Sequence, residues 1–128
     1  TKTTNRYFNY IYVRMGAHTL IHKRTEDDIW KNLFELPLVE TEKDLSEEEF
    51  LACPQFHALF AEGEVRMVRI LLRGVKHVLS HRVIYTNFYE VTLPDNSSSF
   101  SSYQRVAVED LGRYAVPRLI HAFLEKYV

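Results

Sequence analysis

Two apolar runs on either side of a short polar segment constrain the fold of this chain more than any other feature. The first run begins at Val75 and ends at Leu79, the second resumes at Val83, and both are rich in β-branched residues. Such runs favour strands, so the segment Leu79-Ser80-His81 predicts a bend at the end of a sheet. Binding residues are concentrated at such bends, because loops at the rim of a sheet are exposed.

The side chains of this bend have the chemistry of nucleic-acid contacts. Because a serine hydroxyl donates and accepts hydrogen bonds and an imidazole does either, Ser80 and His81 can contact the edge of a base. Lys76 and Arg82 flank them in the sequence and can pair with phosphates. A serine and a histidine at a strand end also commonly form a turn that satisfies only its own backbone. The bend is therefore a candidate binding site with a structural alternative.

Length and composition predict one globular domain. The chain has 128 residues, of which 46% are hydrophobic and 13% aromatic, which is ordinary for a single folded unit. Cys53 is the single cysteine and cannot form a disulfide within the chain, which fits a reducing, intracellular setting. No apolar run approaches the roughly 18 residues that span a bilayer, so no membrane partner is expected. The polar start has neither a signal-peptide core nor an initiator methionine, so we expect a fragment of a longer protein.

Charges are unevenly distributed, although the formal net charge is only −1. Residues 1–25, which include Lys2, and residues 65–82 each hold five Lys or Arg and no Asp or Glu. Residues 26–64 hold twelve of the seventeen acids. If the two basic segments are neighbours in space, one face of the domain is cationic. The alternative is a set of solvated charges with no common surface.

The rest of the pattern predicts an α+β fold, with a mixed sheet covered by a few helices. Residues 7–13 and 19–23 have the composition of strands and are expected to form a hairpin that turns at Gly16. Pro37 should confine the apolar stretch around it to a sheet edge or an irregular path. Two or three antiparallel strands are expected between Val65 and Leu93, with a turn at Gly74.

Helices are predicted at three places, and a serine-rich loop is predicted over residues 94–102. Ser46 and Glu49 form a capping-box pattern, Pro54 suits the first turn of a second helix closed by Gly63, and apolar residues recur at helical spacing after Pro117. The acids Glu47–Glu49 are best explained by a helix dipole that favours negative charge in its first turn, rather than by a metal site. Trp30, the single tryptophan, is expected in the core.

Four segments, in this order, resemble the C-terminal domain of MutY-type A/G-specific adenine DNA glycosylases. The resemblance extends over nearly the whole chain and implies that residues 1–128 form a single Nudix-like lesion-recognition domain. It implies recognition of 8-oxoguanine in the strand opposite the mispaired adenine, in base excision repair. The segments that carry it are Leu20–Arg24, Ile29–Pro37, His77–His81 and Tyr114–Ile120.

In this family a Phe-Ser-His loop reaches the damaged base, and Leu79-Ser80-His81 occupies that place here. The resemblance implies that Ser80 hydrogen-bonds the altered purine edge and that His81 orients the loop or contacts the DNA backbone. Leu79 replaces the usual phenylalanine, so an apolar wedge remains but aromatic stacking is lost. His77 matches an upstream histidine of the family, for which we expect a structural role.

The resemblance also implies what this chain does not do. Excision needs a carboxylate in a base-flipping pocket, so catalysis and the 4Fe-4S cluster of many family members are assigned to the absent N-terminal region. We expect no enzyme activity and no cofactor in this fragment. Its expected partners are double-stranded DNA with an 8-oxoguanine:adenine pair and the catalytic domain of the same chain, with a repair protein as a further candidate, in a bacterial cytoplasm at the nucleoid.

Two alternatives remain open. A Nudix pyrophosphohydrolase needs glycines, an arginine and several glutamates that place magnesium on a helix, but no glycine follows Pro37 before Gly63 and no arginine before Arg66. That pattern disfavours hydrolysis. A protein-interaction module, in which the acidic residues 40–49 or the serine-rich loop contact a partner, is compatible with the sequence and also with DNA binding.

Overall fold

Seven strands and three α-helices form the described part of the molecule. The structure is a computed structural model that describes residues 3–128. Lys2, one of the predicted basic residues, lies outside the described residues. The elements are β1 (Thr4–Arg14), β2 (His18–Lys23), β3 (Phe34–Glu35), β4 (Leu38–Thr41), α1 (Glu47–Ala52), α2 (Pro54–His57), β5 (Met67–Leu79), β6 (Arg82–Thr92), β7 (Gln104–Ala107), a 3₁₀ helix (Val108–Arg113) and α3 (Arg118–Tyr127).

The strands form two sheets, one of four strands in the order β4-β1-β6-β5 and one of three in the order β3-β2-β7. At the centre of the larger sheet β1 and β6 are parallel, in register from Thr4 opposite Arg82 to Arg14 opposite Thr92. Strands β4 and β5 add to the two edges in the antiparallel direction. The prediction of an α+β fold with a mixed sheet is confirmed. Strands β3 and β4, on either side of Pro37, are both edge strands, as predicted.

The predicted hairpin of β1 and β2 is wrong. Met15 and His18 form a single antiparallel bridge, after which β2 joins the smaller sheet. Both edges of β1 are already occupied, by β4 and β6, so β2 has no free edge of β1 to pair with. Gly16 does form the turn between them, at φ 61°, where glycine carries no steric penalty.

Gly74 forms a bulge rather than the predicted turn. Strand β5 continues through it, and its register against β6 shifts between Leu72 and Val75. Gly74 has φ 71°, and its N–H donates to Asn87 Oδ1 at 2.8 Å, so a side chain replaces the missing ladder partner. Asn87 is buried and its Nδ2 also donates to Asn9 Oδ1 at 3.2 Å. The buried side-chain amides of Asn9 and Asn87 therefore fix the bulge about halfway along β5.

Alternate residues of the central strands supply two cores, one on each face of the larger sheet. The first packs beneath the smaller sheet and α3, where Phe88 stacks on Phe123 with ring centroids 4.1 Å apart. The second packs against α1 and α2, where Phe50 stacks on Tyr89 at 4.6 Å. Trp30 was expected in the core and is half-buried against the first cluster. Both faces of the larger sheet are thus covered near the middle of its strands.

The predicted helices form, with one shorter than expected. Ser46 Oγ accepts from the Glu49 N–H, and Glu49 Oε1 accepts from the Ser46 N–H, so the capping box is confirmed. Helix α2 starts at Pro54, as predicted, but ends at His57. The serine-rich loop is also confirmed, and Glu64 holds it through hydrogen bonds from Ser97 and Ser99. Within residues 3–128, no helix is long and apolar enough to cross a membrane.

Candidate nucleic-acid interface

The predicted bend lies at the end of the longest hairpin in the described structure. Strand β5 ends at Leu79, Ser80 and His81 form the turn, and β6 begins at Arg82. The Thr4 N–H donates to the His81 carbonyl oxygen at 2.9 Å, so the start of β1 holds the turn in place. The side chains of Ser80 and His81 are exposed. The sequence prediction of a bend at the rim of the sheet is confirmed.

The six predicted site residues lie together on this hairpin but project to different sides. Lys76 and Arg82 are exposed, whereas His77 and Leu79 are half-buried. Leu79 packs against the first core cluster, so its apolar side chain supports the turn from below. Its role as a wedge and the base and phosphate contacts of the other residues stay predictions.

An unusual tryptophan supports His77. The ring centroids of Trp30 and His77 are 5.9 Å apart, edge to face, and the Trp30 ring also contacts Phe8 at 6.0 Å. Trp30 has φ 58°, a left-handed conformation that is costly for a bulky residue and that persists only where the surroundings impose it. Here the loop is closed by hydrogen bonds between Arg24 and Leu33 and between Asn32 and Arg24. His77 therefore rests on Trp30, a loop residue that precedes it by 47 positions in the sequence.

Most arginines of the two basic segments are ion-paired within the protein. Arg6 bonds Asp28 at 2.9 Å and Glu40 at 2.8 Å. Hydrogen bonds from Arg6 lower the pKa of Asp28 to about 2. The two basic segments meet where the Thr4 N–H bonds the His81 carbonyl oxygen, but β6 separates β1 from β5 in the sheet, and acids from residues 26–64 neutralise much of their charge. A continuous cationic face does not form from these arginines.

A buried carboxylate is the centre of this pairing. Glu35 is 2% exposed and accepts from the Tyr10 hydroxyl at 2.6 Å and from Arg24 Nη1 at 3.0 Å. His22 Nε2 lies 2.9 Å from Glu35 Oε2 but outside hydrogen-bond geometry. Burial raises the pKa of the Tyr10 hydroxyl well above its ordinary value, and the Glu35 carboxylate adds to this effect. Arg24 also bonds Asp28, so one connected network lines an open cavity of about 360 Å³.

Further arginines along β1 and β5 are paired in the same way. Arg69 bonds the buried Glu90 at 2.6 Å, Arg14 lies 3.8 Å from the same carboxylate, and Arg73 bonds Asp44. By contrast, Lys76 and Arg82 make no ion pair or side-chain hydrogen bond with any residue between 3 and 128. The cations that remain available to an external anion therefore include the two that flank the turn.

The acidic first turn of α1 has the capping role that the sequence predicted for it. Glu47, Glu48 and Glu49 lie at the helix start, and hydrogen bonds from Ser46 lower the pKa of Glu49. Over the described range 3–128, no three or more His, Cys, Asp and Glu side chains are grouped to hold a metal ion.

Sequence reasoning missed two residues beside the turn. Tyr7 on β1 and Tyr85 on β6 are directly opposite in the register, and their rings stack with centroids 5.5 Å apart. No local pattern predicts this contact, because the two residues are far apart in the chain and pair only through the parallel strands. The buried pair Asn9 and Asn87 was missed for the same reason.

Comparison with known proteins supports the fold expected from the sequence. Residues 9–126 match the NUDIX domain family, and no curated protein sequence matches the chain. The C-terminal domain of mouse MUTYH, solved in complex with human PCNA, superposes with a TM-score of 0.70 at 14% identity, over 95% of this chain and 86% of that chain. The MutT protein from Methanosarcina mazei Go1 superposes with a TM-score of 0.61 at 17% identity, over 98% and 94%.

The E. coli ORF135 protein is a third similar structure, with a TM-score of 0.61 at 15% identity, over 96% of this chain and 88% of that one. At these identities the likeness concerns the fold alone, and it is shared by the MUTYH C-terminal domain and by MutT proteins. The Nudix-like fold is confirmed, and the assignment to the C-terminal domain of MutY-type glycosylases stays a prediction. The match over residues 9–126 shows that the chain belongs to the NUDIX domain family.

Proposed function

We propose that this chain is a non-catalytic DNA-recognition domain, the C-terminal part of an adenine DNA glycosylase, which contacts 8-oxoguanine opposite the mispaired adenine. The observation that supports this proposal is the exposed turn Ser80-His81, carried on a long hairpin and flanked by Lys76 and Arg82, which have no internal ion partner among the described residues. A turn of this kind presents hydrogen-bonding groups to a base and cations to the adjacent phosphates.

The chemistry of the lesion suits a serine hydroxyl. Guanine presents an acceptor nitrogen at its Hoogsteen edge, and in 8-oxoguanine this nitrogen carries a hydrogen beside an added carbonyl. Ser80 Oγ accepts from that N–H, and His81 orients the turn or contacts the backbone. Because an unpaired buried polar group costs about 1–3 kcal/mol, one such contact gives roughly a tenfold to hundredfold preference for the lesion.

The proposed context is a longer glycosylase. Excision, and the 4Fe-4S cluster found in many members of that family, would belong to an N-terminal catalytic domain. The likeness to the MUTYH C-terminal domain supports this assignment, and its complex with PCNA supports a repair-protein partner for this chain as well. We place the protein in the bacterial cytoplasm, at the nucleoid.

A titration followed by amide chemical shifts tests the proposal. The labelled chain is titrated with two duplexes that differ only in 8-oxoguanine or guanine opposite adenine. We expect lesion-dependent shifts centred on residues 77–82. Shifts that are equal for both duplexes would reduce the function to backbone binding, and no shifts at all would favour the protein-interaction module.

A variant pair assigns the readout to the serine. Ser80→Ala should reduce the preference for lesion DNA about tenfold or more while scarcely changing the affinity for undamaged duplex. Ser101→Ala, at an exposed serine of the loop over residues 94–102, is the matched control and should change neither. Equal losses on both duplexes for Ser80→Ala would count against base readout.

The likeness to MutT proteins favours a second candidate, a Nudix nucleotide pyrophosphohydrolase. Incubation with nucleoside triphosphates and magnesium, followed by assay of released pyrophosphate, distinguishes the two. Turnover by the purified chain would contradict a non-catalytic domain, and we expect none.

A further inference from the structure

One end of the larger sheet has an open face beside the turn. Tyr7 and Tyr85 stand there side by side on the two central strands, with their ring planes at 15°. Both are half-exposed and belong to neither core cluster. Helices α1 and α2 pack on the same face, but at the opposite end, around Phe50 and Tyr89.

The hairpin adds a cation and an apolar side chain to this face. Lys76 is opposite Tyr85 in the register and Val78 is opposite Val83, so both project from the side that carries the tyrosines. Val78 is 66% exposed, one of the few large apolar side chains so open to solvent. The open face is thus defined by Tyr7, Tyr85, Lys76 and Val78, and it adjoins the turn Ser80-His81.

The charge of the open face favours an anionic occupant. The neighbouring positions on this side of the strands include Asn5, Thr41 and Val83, none of which is an acid, and the acid next along it, Asp44, bonds Asn87 and is paired with Arg73. Glu40 is opposite Phe8 in the register and so projects to the other side, where it bonds Arg6. The face therefore presents Lys76 without a compensating carboxylate on the strands that form it.

The tyrosine hydroxyls are hydrogen-bond donors without a protein acceptor. Within the described range 3–128, neither the Tyr7 nor the Tyr85 hydroxyl makes a hydrogen bond. Phenol hydroxyls and lysine ammonium groups are common phosphate contacts in DNA complexes, and Val78, next to Lys76 on the same side of β5, adds an apolar contact for a sugar. Stacking of unpaired bases on the rings is less suitable, because each ring already uses one face against the other.

We propose that Tyr7 and Tyr85 are positioning residues that donate hydrogen bonds to the phosphates next to the lesion, with Lys76 pairing the same stretch of backbone. This inference rests on the proposed function, and it adds a sequence-independent contact to the base contact of Ser80. The open face fixes the register of the strand, and the turn then meets the damaged base.

The double variant Tyr7→Phe/Tyr85→Phe tests this inference, because it removes the two hydroxyls and keeps the stacked rings. Because two hydrogen bonds to the phosphates are lost, we expect roughly tenfold weaker binding. The loss should be the same for lesion and undamaged duplexes. The dependence of log affinity on log salt should not change, because a tyrosine releases no counterion, whereas Lys76→Ala should reduce that slope by about 0.9.

Tyr127→Phe is the matched control. Tyr127 is half-buried on α3 and stacks on Phe123, against the other face of the sheet, and its substitution should leave both affinities unchanged. Wild-type affinity of the double variant would overturn the inference, as would a loss confined to the lesion duplex, which would place the tyrosines at the base. In both cases Ser80→Ala still tests the proposed function separately. Failure of the unmodified chain to bind either duplex would contradict the proposed function and this inference with it.

Discussion

The cations of the arginine network around Glu35 are ion-paired within the protein, whereas those beside the turn Ser80-His81 make no ion pair among the described residues. Arg6 bonds Asp28 and Glu40, and Arg24 bonds Asp28 and Glu35, of which Glu35 is 2% exposed. Lys76 and Arg82 extend into solvent without a partner in the described part of the chain. The cations of the network and those beside the turn come from two segments that each hold five Lys or Arg and no Asp or Glu. The difference shows that the number of cations in a segment does not measure the charge available for binding.

The two regions should therefore respond differently to substitution. Removing a charge from the network leaves its partner buried and unpaired, which costs stability. Removing a charge at the turn exposes no unpaired group, so stability changes little and only binding responds. Four substitutions test this difference.

The largest effect is expected for Arg24→Met. Arg24 is 12% exposed and its loss leaves the Glu35 carboxylate without its cation, so unfolding free energy should fall by about 3–5 kcal/mol in urea denaturation. Arg113→Met, at a pair in which the arginine is 81% exposed, is the matched control and should cost less than about 0.5 kcal/mol. Similar losses for both variants would mean that the network does not differ from a surface pair.

The next largest effect is expected for Asn87→Ala, at the bulge between the two regions. The substitution leaves the Gly74 N–H without its acceptor and Asn9 Oδ1 without its donor, at a cost of about 1–3 kcal/mol, while Asn9 Nδ2 keeps its bonds to Val39 and Thr41. Amide hydrogen exchange should accelerate between Val75 and Tyr85 more than in β2. Uniform acceleration in both places would show that the bulge does not separate the hairpin from the rest of the sheet.

A smaller effect on the unfolding free energy is expected for Asp28→Asn, because the pKa of Asp28 is lowered in the folded chain. Its pKa is about 2 in the folded chain, below the ordinary 3.8, so its contribution is present above about pH 4 and is lost as the pH falls through 2. With a quarter of the side chain exposed, we expect about 1–2 kcal/mol. Asp28→Asn should remove this part of the pH dependence in denaturation curves measured from pH 5 to pH 2. An unchanged profile would contradict the ion pair with Arg6.

The smallest effect on stability is expected for Arg82→Gln. Unfolding free energy should change by less than about 0.5 kcal/mol, while the salt slope of DNA binding falls by about 0.9. Arg113→Gln should change neither the slope nor, beyond the same limit, the stability. A loss of stability above 1 kcal/mol would show that Arg82 has a structural partner.

The sequence predicts those features that depend on residues close together in the chain. The β-branched runs around Leu79 and Val83 identify β5, β6 and the turn between them, and Ser46 with Glu49 identifies the start of α1. The parallel pairing of β1 with β6 is not predictable in this way, because no local pattern states which strand occupies an edge. The expected hairpin of β1 and β2 fails for that reason.

The candidate site likewise combines residues that the sequence predicts with contacts that depend on distant segments. Its six residues fall within the seven positions 76–82, and the structure places them on one hairpin as expected. Trp30 beneath His77 and Tyr7 beside Tyr85 come from distant segments, so composition and spacing do not reveal them. The sequence does not predict the pairing of Arg24 with Glu35 either, because the composition of a basic segment does not indicate which acids pack against it.

The bulge at Gly74 also has a consequence for how this protein can change over evolutionary time. Since a side-chain amide rather than a strand neighbour satisfies the Gly74 N–H, the register beyond the bulge does not depend on the register before it. Exchanges at the exposed residues Ser80, His81 and Arg82 leave the packing of Val75, Leu79 and Ile84 with the first core cluster unchanged. The tip of the hairpin is thus a part of the molecule that natural or laboratory evolution can vary without loss of the fold.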